Sequence, residues 1–315
     1  TAHYLYTPPE GMLQLMPVPT CLGESKPWGN VGEMSNRGIE LDMNYRYSIG
    51  DFNFSIGANA TYIKTILINA GNETGILDGG SFHQMGTITR GQNGMVYPYF
   101  YGYKTDGVFQ NWDEVNSYVG ADGSLIQPSA QPGDFRYQDL DGDGKITAEG
   151  DRTNLGKCVP AWTYGVNASI DWKGIDFSMV WQGVAGNKIF DGTRRTDIPT
   201  MNQPKYVLNR WTGEGSTNAY PRFTTTDPNQ NWSKASDFFI KDASYFRLKN
   251  ITLGYTLPYN WTKKVFVKKL RVYVAAENLL TLTKYDGFDP EIAGYMDRGI
   301  YPQARTFQFG ASITF

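Results

Sequence analysis

The stretch Thr306–Phe315, TFQFGASITF, alternates without a break. Phe307, Phe309, Ala311, Ile313 and Phe315 share one side, and Thr306, Gln308, Gly310, Ser312 and Thr314 share the other. A period of two is the mark of a β-strand with one apolar and one polar face. An aromatic terminus with small polar residues opposite is the pattern of a strand closing a transmembrane β-barrel, where one face meets lipid and the other water.

Six further segments alternate in the same way. Gly38 to Tyr47 sets Ile39, Leu41, Met43, Tyr45 and Tyr47 against Glu40, Asp42, Asn44 and Arg46, and Phe52 to Ile66 continues the pattern after Ser48–Asp51. Trp162 to Trp172 and Ile175 to Trp181 flank Lys173-Gly174, a two-residue turn suited to tight antiparallel pairing. Tyr245 to Leu257 and Lys268 to Leu282 form the third pair. The connections alternate in length: short at 48–51, 173–174 and 258–267, long at 67–160, 184–244 and 284–304. Barrels in outer membranes have short periplasmic turns and long extracellular loops, so all the short turns are expected on one side of a membrane.

Composition excludes several classes. The 29 basic and 31 acidic residues leave a formal net charge of −2, which argues against a nucleic-acid partner. Aromatics make up 15% of the chain and there are 35 glycines, a balance that favours strands and turns. No apolar run approaches the ~18 residues of a spanning helix. Thr1 to Gln14 has neither the basic start nor the apolar middle of a signal peptide, so a mature chain or part of a longer one is expected. Cys21 and Cys158 match no metal-ligand spacing; they read as incidental, with one long-range disulfide as the other reading. His3 and His83 stand apart from any catalytic motif, and no enzyme is expected.

The competing fold is a secreted calcium-binding β-sandwich module that binds carbohydrate. Strand length argues against it, since sandwich strands run about 5–6 residues. Trp162 and Trp172 lie on one face, and the strand between them, at ~3.3 Å per residue and a ~40° tilt, spans roughly 25 Å, the height between the two aromatic girdles of a barrel. Seven full crossings are an odd number where bacterial barrels use even ones. Thr1 to Gln14 is therefore expected to be the tail of another strand, with Leu15 to Gly32 as the loop that follows. Open edges cannot persist in lipid, so the remaining strands must come from elsewhere.

Five stretches carry a family resemblance: Asn30–Leu41 (NVGEMSNRGIEL), Tyr103–Gln110 (YKTDGVFQ), Pro132–Ile146 (PGDFRYQDLDGDGKI), Asp242–Asn250 (DASYFRLKN) followed by Leu253-Gly254-Tyr255, and Arg271–Leu280 (RVYVAAENLL). In order, and across nearly the whole chain, they resemble the C-terminal third of the SusC/RagA family of TonB-dependent transporters. The resemblance implies an all-β fold: about 7 or 8 strands of a large antiparallel barrel of about 22 strands that encloses an N-terminal plug. It also implies a place in the bacterial outer membrane, import of glycans or peptides, and a SusD-like surface lipoprotein as lid. The expected partners are the N-terminal remainder of the transporter, with plug and early strands, TonB through that remainder, outer-membrane lipid, and an oligosaccharide or peptide.

Within the long connection 67–160, residues 139–151 resemble a calcium loop. Asp139, Asp141 and Asp143 provide alternate carboxylates, Lys145 a backbone carbonyl, and Gly144 the sharp turn. Position twelve is Gly150, flanked by Glu149 and Asp151, either of which could supply the last ligand. Ca2+ (or Mg2+) binding is one expectation; an acidic turn held by Asx hydrogen bonds is the other. Tyr97, Tyr99, Tyr101, Tyr103 and Trp112, with Phe100 and Phe109, form an aromatic cluster that suits a substrate platform or internal packing. Arg210 and Trp211, with Pro221 and Arg222, are candidate lid anchors. Lys263, Lys264, Lys268, Lys269 and Arg271 crowd the last short turn, where they suit anionic head groups or simple solvation.

Overall fold

The computed structural model describes residues 1–8, 11–15, 27–194 and 201–315. Eight strands form one antiparallel wall in chain order: β1 (Ala2–Thr7), β2 (Trp28–Ile49), β3 (Phe52–Asn69), β4 (Trp162–Trp172), β5 (Ile175–Ala185), β6 (Tyr245–Thr256), β7 (Lys269–Thr283) and β8 (Thr306–Thr314). A short strand, Met12–Leu15, pairs with the first residues of β2. The expected extra strand in Thr1–Gln14 is β1, paired with β2 from Ala2↔Leu41 to Thr7↔Asn36.

Register fixes which side chains share a face. Ile39↔Tyr62, Met43↔Ala58 and Tyr47↔Phe54 align across β2 and β3; Tyr62↔Trp162, Ala58↔Val166 and Phe54↔Ile170 carry that face onto β4. It continues through Ala168↔Met179, Met179↔Ile251, Ile251↔Ala276 and Ala276↔Phe307 to β8. Large apolar side chains along it stand open: Met43 is 60% exposed and Phe309 84%. A soluble sandwich would cover this face with a second sheet, whereas Leu41, Tyr45, Leu253 and Phe307 on it are exposed. An uncovered apolar sheet of this extent is a barrel wall facing lipid.

Two strands run further than the alternation. β2 begins at Trp28, ten residues before the alternating segment, and β3 and β2 turn through Gly50-Asp51 alone. The early part of β2 lies above the apolar belt. Both of its faces meet water or other protein there, so no alternation marks it. β6 also changes phase. Its pairing with β5 slips beside Leu248/Asn250, so Lys249 is an extra residue against β5, while β7 sets Asn278 and Leu279 opposite it, and Leu248 and Phe246 return to the apolar face. The last short connection contains a helical turn, Tyr259–Thr262, with Trp261 and Phe266 exposed.

The long connections are not open loops. At the end of the wall away from the short turns they build a folded cap. Arg152–Lys157, Tyr99–Tyr103, Thr89–Gln92 and Ile76–Asp78 make a four-stranded sheet within 67–160. A second sheet draws on two connections: Ile240–Asp242 and Met296–Asp297 flank Lys188–Asp191. Phe82, Phe100, Phe190, Trp232 and Phe239 meet in one buried cluster from both of the longest connections. The apolar core of this chain therefore lies in the cap, because the wall gives one face to lipid and the other to the lumen. Cys158 is buried in that cluster, and burial pushes its thiol up. Cys21, and with it the disulfide reading, lies outside the described residues.

Candidate functional site

The inward face of the wall is polar along its length. It carries Glu40, Asp42, Asn44 and Arg46 on β2, Asn59 and Thr61 on β3, Asn167 and Ser169 on β4, and Gln308 and Ser312 on β8. Near the short turns Asp176 and Arg271 form a two-pronged pair, Nε–Oδ1 2.8 Å and Nη2–Oδ2 2.5 Å. They meet across β6 over Gly254, where a Cβ would lie 2.5 Å from the Asp176 oxygens. Arg271 thus turns into the lumen and is not one of the residues available to head groups at the last short turn.

At the other end the bulge in β6 anchors the last connection. Arg247, buried, donates to Asp289 (2.5 Å), Glu291 (2.8 Å) and Thr281 (2.9 Å). Lys249 donates to the same Glu291 at 2.7 Å. The slip in β6 thus puts Arg247 and Lys249 on one carboxylate. Burial alone would raise the Asp289 carboxyl, but bonds from Arg247 and from the Gln303 and Glu291 N–H groups hold it below the usual range.

The predicted aromatic cluster divides. Tyr99, Tyr101 and Tyr103 are drawn into the cap, with 9% exposure or less. Tyr101 lies between Arg90 and Arg152, 3.6 and 4.3 Å from its ring centre. Packing takes these three, and their faces are not a platform. Tyr97 lines a cavity of about 580 Å3 between wall and cap with Asn36, Ile63, Thr65, Lys157 and Thr163. Trp112, 56% exposed, opens a short helix (Trp112–Ser117) capped by Asn111. Trp211 packs beside Phe135 and Tyr137 and donates to Gln110 at 3.2 Å. Arg210 stands next to it, half-buried.

The acidic loop is ordered by its own backbone. Asp139 accepts from the Gly142 and Gly144 N–H groups, Asp141 from Asp143, and Asp143 from Lys145. The carboxylates of Asp139, Asp141 and Asp143 have oxygens within 4.8 Å of one another, no further apart than opposite ligands around calcium at ~2.4 Å. Glu149 and Asp151 are outside this group. Asp151 is fully buried and closes the loop by accepting from Leu140 (2.7 Å) and Thr147 (2.6 Å). A Cβ at Gly150 would lie 2.0 Å from Asp141 Oδ2, so the glycine at position twelve makes room for that carboxylate.

Sequence reasoning missed a second cavity in the cap, about 530 Å3, lined by Asp191, Tyr206, Leu208, Tyr220, Asp286 and Phe288. Burial raises the Tyr206 hydroxyl, whose oxygen has no hydrogen-bond partner. These residues come from distant connections, so no local motif signals them.

No protein-family model matches the sequence. The TonB-dependent receptor P3 of Formosa agariphila is 30% identical over 97% of this chain and 31% of its own length. The TonB-dependent receptor SusC of Bacteroides thetaiotaomicron is 26% identical over 91% of this chain and 27% of its own. The fold superposes on the RagAB peptide importer in its open-open state with a TM-score of 0.75 at 23% identity, over 99% of this chain and 32% of that one. The chain spans about a third of the length of these relatives. These relatives are transporters and receptors, not enzymes. With a wall apolar outside and polar inside, and nearly the whole of its length aligned to these receptors, the chain is similar to TonB-dependent receptors of the SusC and RagA kind over a stretch of about a third of their length.

Proposed function

We propose that this chain forms the C-terminal wall and extracellular cap of an outer-membrane importer of oligosaccharides or peptides. Plug and early strands complete the barrel, TonB drives it through that remainder, and a SusD-like lipoprotein seats on the cap. The separation of faces carries the reading: strand after strand is apolar outward and polar inward, as a water-lined pore through lipid requires. The cavity at Tyr206 is the substrate contact, since it joins aromatic rings to hydrogen-bonding groups. Exposed Trp112, with Arg210 and Trp211, contacts the lid. Asp139, Asp141 and Asp143 hold Ca2+, which fixes the loop beside the four-stranded sheet and takes no part in chemistry.

The test is affinity purification of the full-length transporter from detergent-extracted outer membranes, with co-purifying proteins identified by mass spectrometry and uptake of labelled oligosaccharide and peptide pools measured in cells. Recovery of a surface lipoprotein and TonB-dependent uptake of one pool are expected. A protein that stays soluble without detergent sinks the proposal.

A further inference from the structure

From the short turns up to the level of Arg37, the outward face of the eight strands carries two charges among the described residues, and they lie side by side. Arg37 on β2 and Lys64 on β3 are direct register partners, and both are exposed. Tyr6 on β1 faces Arg37, whose guanidinium lies 5.3 Å from the Tyr6 ring centre. One step toward the short turns, Tyr4, Ile39, Tyr62 and Trp162 form the upper aromatic row, with the Tyr62 and Trp162 rings 5.0 Å apart. Like charges directly opposite each other destabilise a sheet. Among the described residues no carboxylate forms an ion pair with either cation. An anion between them would remove the repulsion.

We infer that Arg37 and Lys64 bind the phosphorylated headgroup of a lipid in the leaflet on the cap side. Their height selects this ligand. They stand one residue pair above tyrosine and tryptophan rings of the kind that sit at headgroup level, on a face whose other side chains are buried in acyl chains. The guanidinium offers paired N–H donors that fit phosphate oxygens, and the ammonium supplies a second point charge across the strand gap. The lipid's acyl chains then continue down the apolar row Ile39, Leu41 and Met43. This site rests on the barrel reading of the wall.

Full-length transporter is placed in phosphatidylcholine nanodiscs containing bisphosphoryl lipid A, and retained lipid is counted by native mass spectrometry. Parallel samples contain dephosphorylated lipid A, or lipid A with excess inorganic phosphate in the buffer. At about 1 kcal/mol per basic residue, the double variant Arg37→Gln with Lys64→Gln should lose roughly thirty-fold in lipid A retention. Arg37→Lys with Lys64→Arg should keep most of it, and dephosphorylated lipid A should bind the wild type as weakly as the double variant binds lipid A. Equal retention by wild type and double variant, both incorporated, overturns the site, as does a loss reproduced by the charge-conserving variant. Complete competition by inorganic phosphate would overturn the lipid assignment. Failure of the wild type to enter nanodiscs would instead strike at the barrel reading itself.

Discussion

The wall and the cap are made from the same chain by opposite rules. In the wall each residue's environment follows from its parity along a strand, because lipid and water lie on the two faces of one sheet. In the cap it follows from which distant segment lies opposite: Phe190 and Phe239 meet Phe82 and Phe100 only after two long connections have folded together. The wall has a pattern without a core, and the cap a core without a pattern. Changes that cross this boundary should therefore have the largest effects, and changes within one region should obey that region's rule.

Arg247 is the boundary. It belongs to a wall strand, but its guanidinium is buried against Asp289 and Glu291 of a cap connection. Arg247→Ala leaves Asp289 buried without its partner, and breaking such a pair costs about 3–5 kcal/mol. Hydrogen exchange on the full transporter is expected to show Met296–Asp297 and its partner Lys188–Asp191 opening while β4 and β5 stay protected. Loss of protection in the wall as well would mean that cap and wall unfold as one unit.

Within the wall, parity itself can be broken. Met179 faces outward near mid-height, and Ser178 beside it faces the lumen. Met179→Arg is expected to cost about 2–4 kcal/mol in barrel stability, the depth-dependent penalty of a cation in lipid. Ser178→Arg should cost far less. Urea titrations of the full transporter in vesicles give both numbers, and equal penalties would contradict the assignment of faces.

How much could be read beforehand follows from the same contrast. Trp162–Trp172 was legible to the residue because lipid and water act on every position of β4. The start of β2 was not, since above the membrane Trp28 to Asn36 has no apolar medium to alternate against. Lys249 broke the phase of β6 for a reason outside the strand, the Glu291 carboxylate of a later connection. Tyr99, Tyr101 and Tyr103 were recognisable as a cluster, but a cluster of rings looks the same in sequence whether it packs a core or faces a substrate. Only the partners Arg90 and Arg152 decide it, and they are brought by the sheet. Position twelve of the acidic loop had two candidate acids in the sequence. What the sequence does not show is that Asp151 accepts from the Leu140 and Thr147 N–H groups and so ties the two ends of the loop together.

Acid tests the boundary more gently than Arg247→Ala. The Asp289 carboxyl is held below its ordinary value, so its contribution is fully present above the unfolded aspartate pKa of about 3.9 and is lost as pH falls through the lower folded value. Asp227 behaves oppositely: burial raises its carboxyl, so its charged form is disfavoured in the folded cap and protonation on mild acidification relieves that cost. Moderate acid should therefore leave the Asp227 turn intact while strong acid releases the last connection. Exchange measured stepwise from neutral pH downward should show Met296–Asp297 losing protection before Asn231 and Trp232. The reverse order would contradict the assignment of the Arg247 anchor.

The acidic loop gives the smallest effect and the sharpest contrast, because it is the part of the cap whose order is local. Asp139→Asn keeps only one of the two acceptor oxygens that the Gly142 and Gly144 N–H groups use, and it removes one of three converging charges. Without calcium the variant should lose about 1 kcal/mol of local stability, since one of the two backbone hydrogen bonds goes and the other remains. With calcium added to the chelated full transporter, the wild type should gain thermal stability in proportion to the logarithm of calcium concentration above Kd, and the variant should gain far less. Magnesium should do less for the wild type, because three carboxylates on a short loop fit its strict octahedron poorly. If wild type and variant respond alike to calcium, the loop is an Asx-stabilised turn. The cap would then be held by its core clusters and by Asp151, with no ion needed.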